Sequence, residues 1–179
     1  MSTLVVHASK YGSTERYARW IGEALEAPVV GSHAITPSGL AEHDVVVFCS
    51  AIYGPSLRDC VELRRAMELG SDTRWVLVTV GLSDPEVSTR RDDLVAAKFT
   101  EDQLARLTVF HLRGAMNRDR LTFVDRSMMA TIRAALAAKS EPSAEDLSML
   151  QVLEPERVDL TSRSGVEDIV ASVQVPEQS

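Results

Sequence analysis

Hydroxyl side chains and a glycine are concentrated in the segment SKYGST at residues 9–14. An apolar run precedes this segment and an amphipathic pattern follows it, so a strand is predicted to pass into a helix here. The first N–H groups of a helix have no partner within the helix, and together with the helix dipole they favour an anion. Gly12 would let a ligand approach the backbone closely. The segment therefore suits a phosphate group, but a helix cap formed by Ser13 or Thr14 is an equally good interpretation.

The spacing in this segment fits neither the P-loop pattern G-x-x-x-x-G-K-[ST] nor the dinucleotide pattern G-x-G-x-x-G. Two further loops, SAIYGPSLRD at 50–59 and VGLSDPEV at 80–87, each follow an apolar run. In an open parallel sheet, ligands bind beyond the carboxyl ends of the strands. Three such loops at one edge could hold a flat heterocycle beside Tyr53 and its phosphate in the first loop. An exposed turn is the alternative interpretation of Tyr53, and it is weaker once the loops are considered together.

The elements that must position these loops alternate between strands and helices. The apolar runs are short and rich in valine, which is typical of strands buried on both faces of a parallel sheet. The strands are predicted at Thr3–Ser9, Asp44–Ile52, Arg74–Leu82 and Leu107–Gly114, with a weaker edge strand at Ala27–Ile35. The helices are predicted at Thr14–Leu25, Asp59–Leu69, Asp92–Leu104 and Ser127–Ala138. This alternation predicts an α/β fold with a doubly wound sheet and right-handed crossovers.

Apolar spacing also predicts which helical residues are buried. The inward residues of the first helix are Tyr17, Ala18, Ile21 and Leu25; those of the second are Val61, Leu63, Met67 and Leu69; those of the last are Met128, Ile132, Ala135 and Leu136. After Lys139 the chain becomes rich in acids and prolines, so we predict a peripheral acidic excursion over 140–164 and a packing helix over 166–173. A chain of 179 residues suits one domain spanning 1–179.

Composition narrows the class of protein. The net charge of −7 and the pI near 5.1 argue against a nucleic-acid-binding protein. No apolar run approaches the roughly 20 residues of a membrane span, and the first residues lack a secretory pattern, so we predict a cytoplasmic protein. Cys49 and Cys60 are expected to be free thiols. The four histidines and two cysteines show no metal-ligand spacing, and no metal is expected.

Four stretches resemble the flavodoxin-domain family, and the similarity extends from Thr3 to Lys139. ASKYGSTE is similar to the flavodoxin phosphate loop Thr/Ser-x-Thr-Gly-x-Thr, with Ser9, Gly12 and Thr14 matching and Tyr11 departing. AIYGPS and TVGLSDPE resemble loops of the branch related to menaquinone-dependent protoporphyrinogen oxidase. FHLRGAMNRDRLTFVDRSMM resembles the last strand and the following helix of that branch.

The resemblance implies a five-stranded flavodoxin-like sheet in the order 2-1-3-4-5, with FMN at the point where the strand order reverses. It implies that the phosphate is held by Ser9, Tyr11, Gly12, Ser13 and Thr14. The isoalloxazine ring would be flanked by Ser50, Ala51, Ile52, Tyr53 and Gly54 and by Val80, Gly81, Leu82 and Ser83. The side chain of Lys10 would either face solvent or help to neutralise the phosphate.

The implied function is electron transfer through FMN, with either a redox partner protein or a quinone or porphyrinogen-type molecule as partner. An oxidoreductase of the protoporphyrinogen oxidase type is one form of this function. The alternative is a flavodoxin-like domain that lacks FMN and serves as a binding or regulatory module. Flavin chemistry belongs to the cofactor, so no catalytic residue is assigned. A homodimer stays open.

Two other features have competing interpretations. His111, near the end of its predicted strand, suits a satisfied imidazole better than a role at the flavin edge. Four arginines, interleaved with Asp119 and Asp125, could receive carboxylates of a ligand or partner, or could be ordinary surface ion-pair residues. The second interpretation is favoured because the acids partly balance the bases. The four are Arg113, Arg118, Arg120 and Arg126.

Overall fold

The apolar runs of the sequence form a central parallel sheet in a computed structural model that describes residues 1–70, 72–87 and 89–175. The strands are β1 (Thr3–Ala8), β2 (Val29–Gly31), β3 (Val45–Tyr53), β4 (Ser56–Leu57), β5 (Arg74–Gly81), β6 (Leu107–Arg113), β7 (Ala115–Asn117) and β8 (Arg157–Asp159). The helices are α1 (Ser13–Leu25), α2 (Pro37–Ala41), α3 (Cys60–Met67), α4 (Arg90–Ala96), α5 (Glu101–Ala105), α6 (Phe123–Ala137), α7 (Ala144–Leu153) and α8 (Glu167–Gln174).

The parallel strands lie in the order β2-β1-β3-β5-β6, and the two-residue β4 pairs antiparallel with β3. Apart from β4, this is the predicted order 2-1-3-4-5, which is confirmed together with the α/β class. Because successive side chains of a strand point to opposite faces, each strand contributes to two cores. Phe48 and Leu77 pack on one face, and Val47 and Val78 pack on the other. Tyr17 of α1 joins the second core.

Three predictions about helices need correction. The predicted helix Asp92–Leu104 is two short helices, because Thr100 starts a new one: its hydroxyl accepts from the Gln103 N–H at 3.3 Å in a capping box. Val61 and Leu69 were predicted to be buried, but they are 44% and 56% exposed. Ala135 is also exposed, because α6 buries only a narrow stripe.

The edge strand is shorter than the predicted Ala27–Ile35. Only Val29–Gly31 pairs with β1, and a 3-10 turn, Ser32–Ala34, follows at once. The sequence analysis also missed α2. Its start is marked by Thr36, whose hydroxyl accepts from the Gly39 N–H at 3.1 Å, and by a proline in its first turn.

The segment 140–164, predicted as a peripheral acidic excursion, contains a ten-residue helix, α7, and the strand β8, neither of which was predicted. A capping box between Ser143 and Asp146 starts α7. Strand β8 pairs antiparallel with β7, so this segment returns to the main body of the chain. Helices α6 and α7 share a third apolar cluster that includes Leu136 and Leu153.

The predicted packing helix over 166–173 is confirmed as α8, which buries Ile169 and Val173 against the second core. The two cysteines are free and buried, as expected. Across the described ranges, no helix combines the length and apolar character that a membrane crossing requires. One domain over 1–179 stays a prediction.

Candidate functional site

The three predicted loops meet at the carboxyl edge of the sheet. We call residues 9–14 the first loop, 50–59 the second loop and 80–87 the third loop. The first loop lies close to the end of β5, with Gly114 between them. A Cβ placed on Gly114 would lie 3.2 Å from Ser13 Oγ in the first loop and 3.2 Å from Val80 Cγ1 in β5. A Cβ on Gly81 would lie 3.0 Å from Ile52 Cδ1, so the second and third loops are also in contact.

The first loop presents the open start of α1. Gly12 is the N-cap, with a left-handed φ of 98°, and no side chain in the described part of the protein caps this helix. Ser13 and Thr14 lie inside the first turn, so the interpretation of either residue as the cap is wrong. Ser9 Oγ accepts from the Gly12 N–H at 3.1 Å, which folds the loop back on itself. Thr14 is buried. The remaining first-turn N–H groups are suited to an anion.

Four side chains form an anchor cluster between the first loop, the second loop and α6: Lys10, Tyr11, Tyr53 and Asp125. Lys10 Nζ donates to Asp125 Oδ2 at 2.7 Å and to the Tyr53 hydroxyl at 2.9 Å. Lys10 Nζ also lies 4.2 Å from the centre of the Tyr53 ring, in cation-π geometry. The Tyr11 hydroxyl donates to the same carboxylate oxygen. Lys10 therefore does not face solvent freely.

Asp125 is the buried member of the anchor cluster, with 1% of its surface exposed. Burial by itself raises the pKa of this carboxyl, but hydrogen bonds from Lys10 and Tyr11 and the Lys10 charge lower the pKa below its usual value. Asp125 is therefore ionised at neutral pH. A negative charge is thus fixed beside the loop for which a phosphate was predicted.

Part of the second loop and its preceding strand serve the core instead of an open surface. Ser50 is fully buried; its hydroxyl donates to the Arg58 carbonyl at 2.8 Å and accepts from Cys60 Sγ at 3.5 Å. Burial raises the pKa of the Cys60 thiol to about 11, so it is a structural thiol. Val80 is also buried, and it lies opposite Ala51 in the sheet.

A central cavity of about 660 Å³ opens between the second loop, the third loop and three helices. This volume lies within the range of small-molecule sites. Most of the lining is apolar. The predicted site residues in the lining are Ile52, Gly54, Leu82 and Ser83. The other lining residues are Pro55, Arg90, Arg91, Asp93, Leu94, Met128, Met129, Ile132, Met149 and Leu153.

The geometry at this sheet edge agrees with the family match. Residues 4–143 match the flavodoxin domain. The chain belongs to the flavodoxin domain family. The match ends before α7, so part of the wall of the central cavity lies outside the matched residues. No curated protein matches this chain.

Solved structures that are similar to this flavodoxin domain include the Streptococcus pneumoniae TIGR4 flavodoxin, at 14% identity and a TM-score of 0.50, covering 96% of this chain and 99% of that one. Flavodoxin 1 from Bacillus cereus is 18% identical with a TM-score of 0.45, covering 63% and 84%. A flavodoxin from the domain Archaea is 13% identical with a TM-score of 0.44, covering 86% and 97%. At these identities the likeness concerns the fold alone.

The residues of this flavodoxin domain fit a flavin mononucleotide in two respects. A Cβ on Gly12 would meet nothing within 4 Å, so there is free space above the open start of α1. The central cavity offers apolar walls from the second and third loops to a flat ring. The anchor cluster adjoins the central cavity, because Met128 follows Asp125 by one helical turn and lies 3.5 Å from the Cβ position of Gly54.

Arg91 holds the third loop of the flavodoxin domain in place. It is a buried arginine, with only 1% of its surface exposed. Its guanidinium donates to the carbonyls of Leu112 at 2.7 Å and Gly81 at 3.0 Å. It also donates to the Ser83 carbonyl and, at 2.9 Å, to the Ser83 hydroxyl. Burial and the Arg113 charge lower the pKa of Arg91 to about 10, which still leaves it charged at neutral pH. The Ser83 hydroxyl, predicted to flank the ring, is thus engaged by Arg91.

Sequence reasoning missed Arg91, Asp125 as a cluster member, and the wall that α7 contributes. The residue pair Met128 and Met129 was visible in the sequence, and methionine is suited to irregular apolar gaps. His111 has partners within the fold: Nδ1 lies 2.5 Å from Thr79 Oγ1, and Nε2 lies 2.9 Å from Asp92 Oδ1. In the described chain His111 does not line the central cavity, which favours its interpretation as a satisfied imidazole.

Proposed function

We propose that this flavodoxin domain binds FMN and transfers electrons. The observation that supports it most is the presence, at one sheet edge, of an open helix start in the first loop and an apolar cavity between the second and third loops. When bound, FMN supplies the ability to accept and pass on electrons. The site residues proposed for it are those predicted from the sequence, extended by the cavity residues of α6 and α7.

The residues of the chain would divide the task of holding the cofactor. The first-turn N–H groups of α1 bind the phosphate, and Gly12 leaves room for it. Ile52 and Leu82 lie on the walls of the central cavity and orient the ring. Met128 and Met149 cover the cavity from α6 and α7 and exclude water from it. Tyr53 joins the ring site to the first loop through Lys10.

The finer proposal is a quinone-linked oxidoreductase of the protoporphyrinogen oxidase type in the cytoplasm. It is supported by the resemblance of the second loop, the third loop and the stretch from Phe110 to Met129 to that branch. In this reaction two electrons and two protons leave a reduced donor, such as a porphyrinogen, and are taken up by a quinone. A redox partner protein in place of the quinone would make the chain an electron carrier.

A binding or regulatory module without FMN is the second candidate function. The ionised carboxylate of Asp125 favours it, because this group is bonded to Lys10 and Tyr11 of the first loop and would repel a phosphate nearby. In this candidate the anchor cluster closes the first loop permanently, and the central cavity serves another apolar ligand.

The deciding experiment is flavin binding by the purified chain. We expect flavin absorbance in the purified protein, or saturable quenching of FMN fluorescence when FMN is added to the apoprotein. A colourless protein that leaves FMN fluorescence unchanged would exclude the electron-transfer proposal. Two anaerobic mixing experiments then separate a quinone-linked oxidase from a carrier. The oxidised, FMN-loaded protein is mixed with protoporphyrinogen, and the reduced protein is mixed with a menaquinone analogue; an oxidase reacts with both, and a carrier that needs a partner protein reacts with neither.

A further inference from the structure

We infer that a second, smaller pocket on this protein binds the carboxylate end of a small apolar acid. This arginine pocket has a volume of about 210 Å³ and lies beside α6, near the end of α7. Its charged lining consists of Arg118, Arg126 and Arg133. Its apolar lining consists of Leu121, Met129, Ala130 and Leu153. The inference does not depend on FMN binding.

The positive charge of the arginine pocket is not neutralised by the protein. Throughout the described residues, no carboxylate lies within 4.0 Å of a guanidinium nitrogen of these three arginines. The two acids interleaved with them in sequence have other partners: Asp119 pairs with Arg157 at 2.7 Å, and Asp125 pairs with Lys10 at 2.7 Å. The balance of charge expected from the sequence therefore does not hold in space.

Two of the guanidinium groups are held in position by backbone carbonyls. Arg118 donates to the carbonyls of Leu153 and Glu154 at the end of α7. Arg126 donates to the carbonyls of Arg118 at 3.3 Å and Leu121 at 3.5 Å. A guanidinium has five N–H donors. In Arg118 both bonds come from one terminal nitrogen, and the same is true of Arg126, so each residue keeps other donors for a ligand. These contacts explain the placement of Arg118 and Arg126.

Arg133 is different, because it has no hydrogen-bond partner among the described residues and still lines the pocket. It lies two helical turns after Arg126 on α6. A structural role as a carbonyl cap does not explain it. A ligand carboxylate between Arg126 and Arg133 would give both an anionic partner, with the bidentate geometry that guanidinium groups favour.

The apolar lining decides between an inorganic anion and an organic acid. Leu121, Ala130 and Leu153 offer no hydrogen bonds, so they favour a ligand with a hydrocarbon body next to its charge. The pocket is smaller than the usual 300–1,000 Å³ of ligand sites. A short fatty acid, such as octanoate, has suitable chemistry and size.

The arginine pocket shares Met129 and Leu153 with the central cavity, whereas Met128 and Met149 line only the central cavity. This difference provides a readout of position. We would titrate the full chain with octanoate and follow the methionine methyl signals by NMR, with and without FMN. Saturable movement of the Met129 signal, with Met128 and Met149 unchanged, is expected in both states.

Arg133→Gln and Arg126→Gln should each weaken octanoate binding about tenfold, because a hydrogen bond between charged groups is lost. Arg65→Gln on α3 is the matched control and should bind like the wild type, and circular dichroism would verify that each variant is folded.

Octanol should not produce the Met129 shift. Equal binding of octanol, unchanged affinity in Arg133→Gln, or joint movement of Met128 and Met149 would overturn the inference. If the chain binds octanoate but fails to bind FMN, the inference about the arginine pocket stands and the proposed function fails.

Discussion

The ammonium group of Lys10 lies 2.7 Å from the buried carboxylate of Asp125, so the first loop is tied to α6 although 115 residues separate the two positions. The carboxylate also accepts a hydrogen bond from Tyr11. This ion pair fixes the loop that is proposed to hold a phosphate. It also neutralises the positive charge of Lys10, which would otherwise attract the phosphate. The anchor cluster thus rigidifies the proposed site and weakens its electrostatic attraction for an anion.

Replacing Asp125 by asparagine should therefore tighten FMN binding while it destabilises the fold. Removing the negative charge frees Lys10 to face the phosphate, for which we expect roughly a tenfold gain in affinity, equivalent to about 1.4 kcal/mol. Loss of the charged hydrogen bonds should lower the free energy of unfolding by about 2 kcal/mol. Fluorescence titration and urea unfolding measure the two effects. Asp119→Asn, which removes an exposed ion-pair carboxylate, is the control. Weaker FMN binding in Asp125→Asn would mean that the carboxylate supports the site.

Gly12→Ala should weaken FMN binding without affecting riboflavin, which lacks the phosphate. The left-handed φ of Gly12 disfavours alanine by about 1–2 kcal/mol. Gly70→Ala is a matched control, because Gly70 also has a positive φ and open space around its Cβ position. Both variants should lose similar stability in urea, and only Gly12→Ala should lose FMN affinity. Equal FMN affinities would place the phosphate away from the first loop.

Met128→Trp should weaken the binding of FMN and riboflavin alike. A tryptophan at this position of α6 would fill part of the central cavity proposed for the flavin ring. We expect at least a tenfold loss for both ligands by fluorescence titration, equivalent to about 1.4 kcal/mol. Val61→Trp is the control, since Val61 is exposed on α3. Unchanged riboflavin binding would show that the ring lies outside the central cavity.

Arg91→Lys should loosen the third loop despite keeping the charge. A lysine ammonium cannot reproduce the planar fork that joins the carbonyls of Gly81, Ser83 and Leu112, so buried carbonyls lose their partners. We expect a loss of about 3 kcal/mol in the free energy of unfolding. Hydrogen exchange should become faster at the amides of residues 81–84. Arg65→Lys, at an exposed position of α3, should change neither measurement. If Arg91→Lys also leaves both unchanged, the guanidinium does not hold the loop.

The stability of α7 should fall in acid through Asp146. Its carboxylate accepts from Lys139 at 2.8 Å and from the Ser143 N–H at 3.0 Å, and these bonds lower its pKa to about 2. Because the folded pKa lies below the ordinary value, the stabilisation is complete above about pH 4 and is lost as the pH falls through 2. In urea unfolding at pH 5, 4, 3 and about 2, the difference between wild type and Asp146→Asn should shrink towards zero. A difference that stays constant over this range would exclude Asp146 as the titrating group.

The sheet and the three loops could be predicted because their signals are local. Runs such as VVVFCS and WVLVTV are almost entirely apolar, since β3 and β5 are covered on both faces. The approximate positions of the site loops follow from the strand ends. The predicted length of the edge strand was too great. Strand β2 pairs on one side only, with β1, and its short length depends on that pairing instead of its own residues.

The sequence did not reveal α7 because its apolar residues do not form one stripe. Leu147 is 49% exposed, whereas Leu153 is buried and Met149 faces the central cavity. Such a helix depends on tertiary contacts and on its capping box more than on amphipathic spacing. The capping box at Ser143 was the available signal.

The polar contacts of the site were also invisible in the sequence. Asp125 has the sequence character of a residue in the first turn of a helix, and nothing near it indicates a partner in the first loop. Arg91 stands in the charged stretch TRRDD, which is typical of an exposed helix start. It is buried because it donates hydrogen bonds to backbone carbonyls at the ends of β5 and β6. Every residue has a backbone carbonyl, so the residue types give no signal of such a partner.

The helices α6 and α7 cover the central cavity, and ion pairs help to hold α7 there: Arg90 meets Glu145 at 2.5 Å, and Lys139 meets Asp146 at 2.8 Å. Contacts of this kind separate more readily than a packed core, because water replaces them at little cost. A molecule seated in the cavity would therefore exchange with solvent at a rate set by the opening of α7. Its residence time would shorten at high ionic strength, even where its contacts with the cavity wall are wholly apolar.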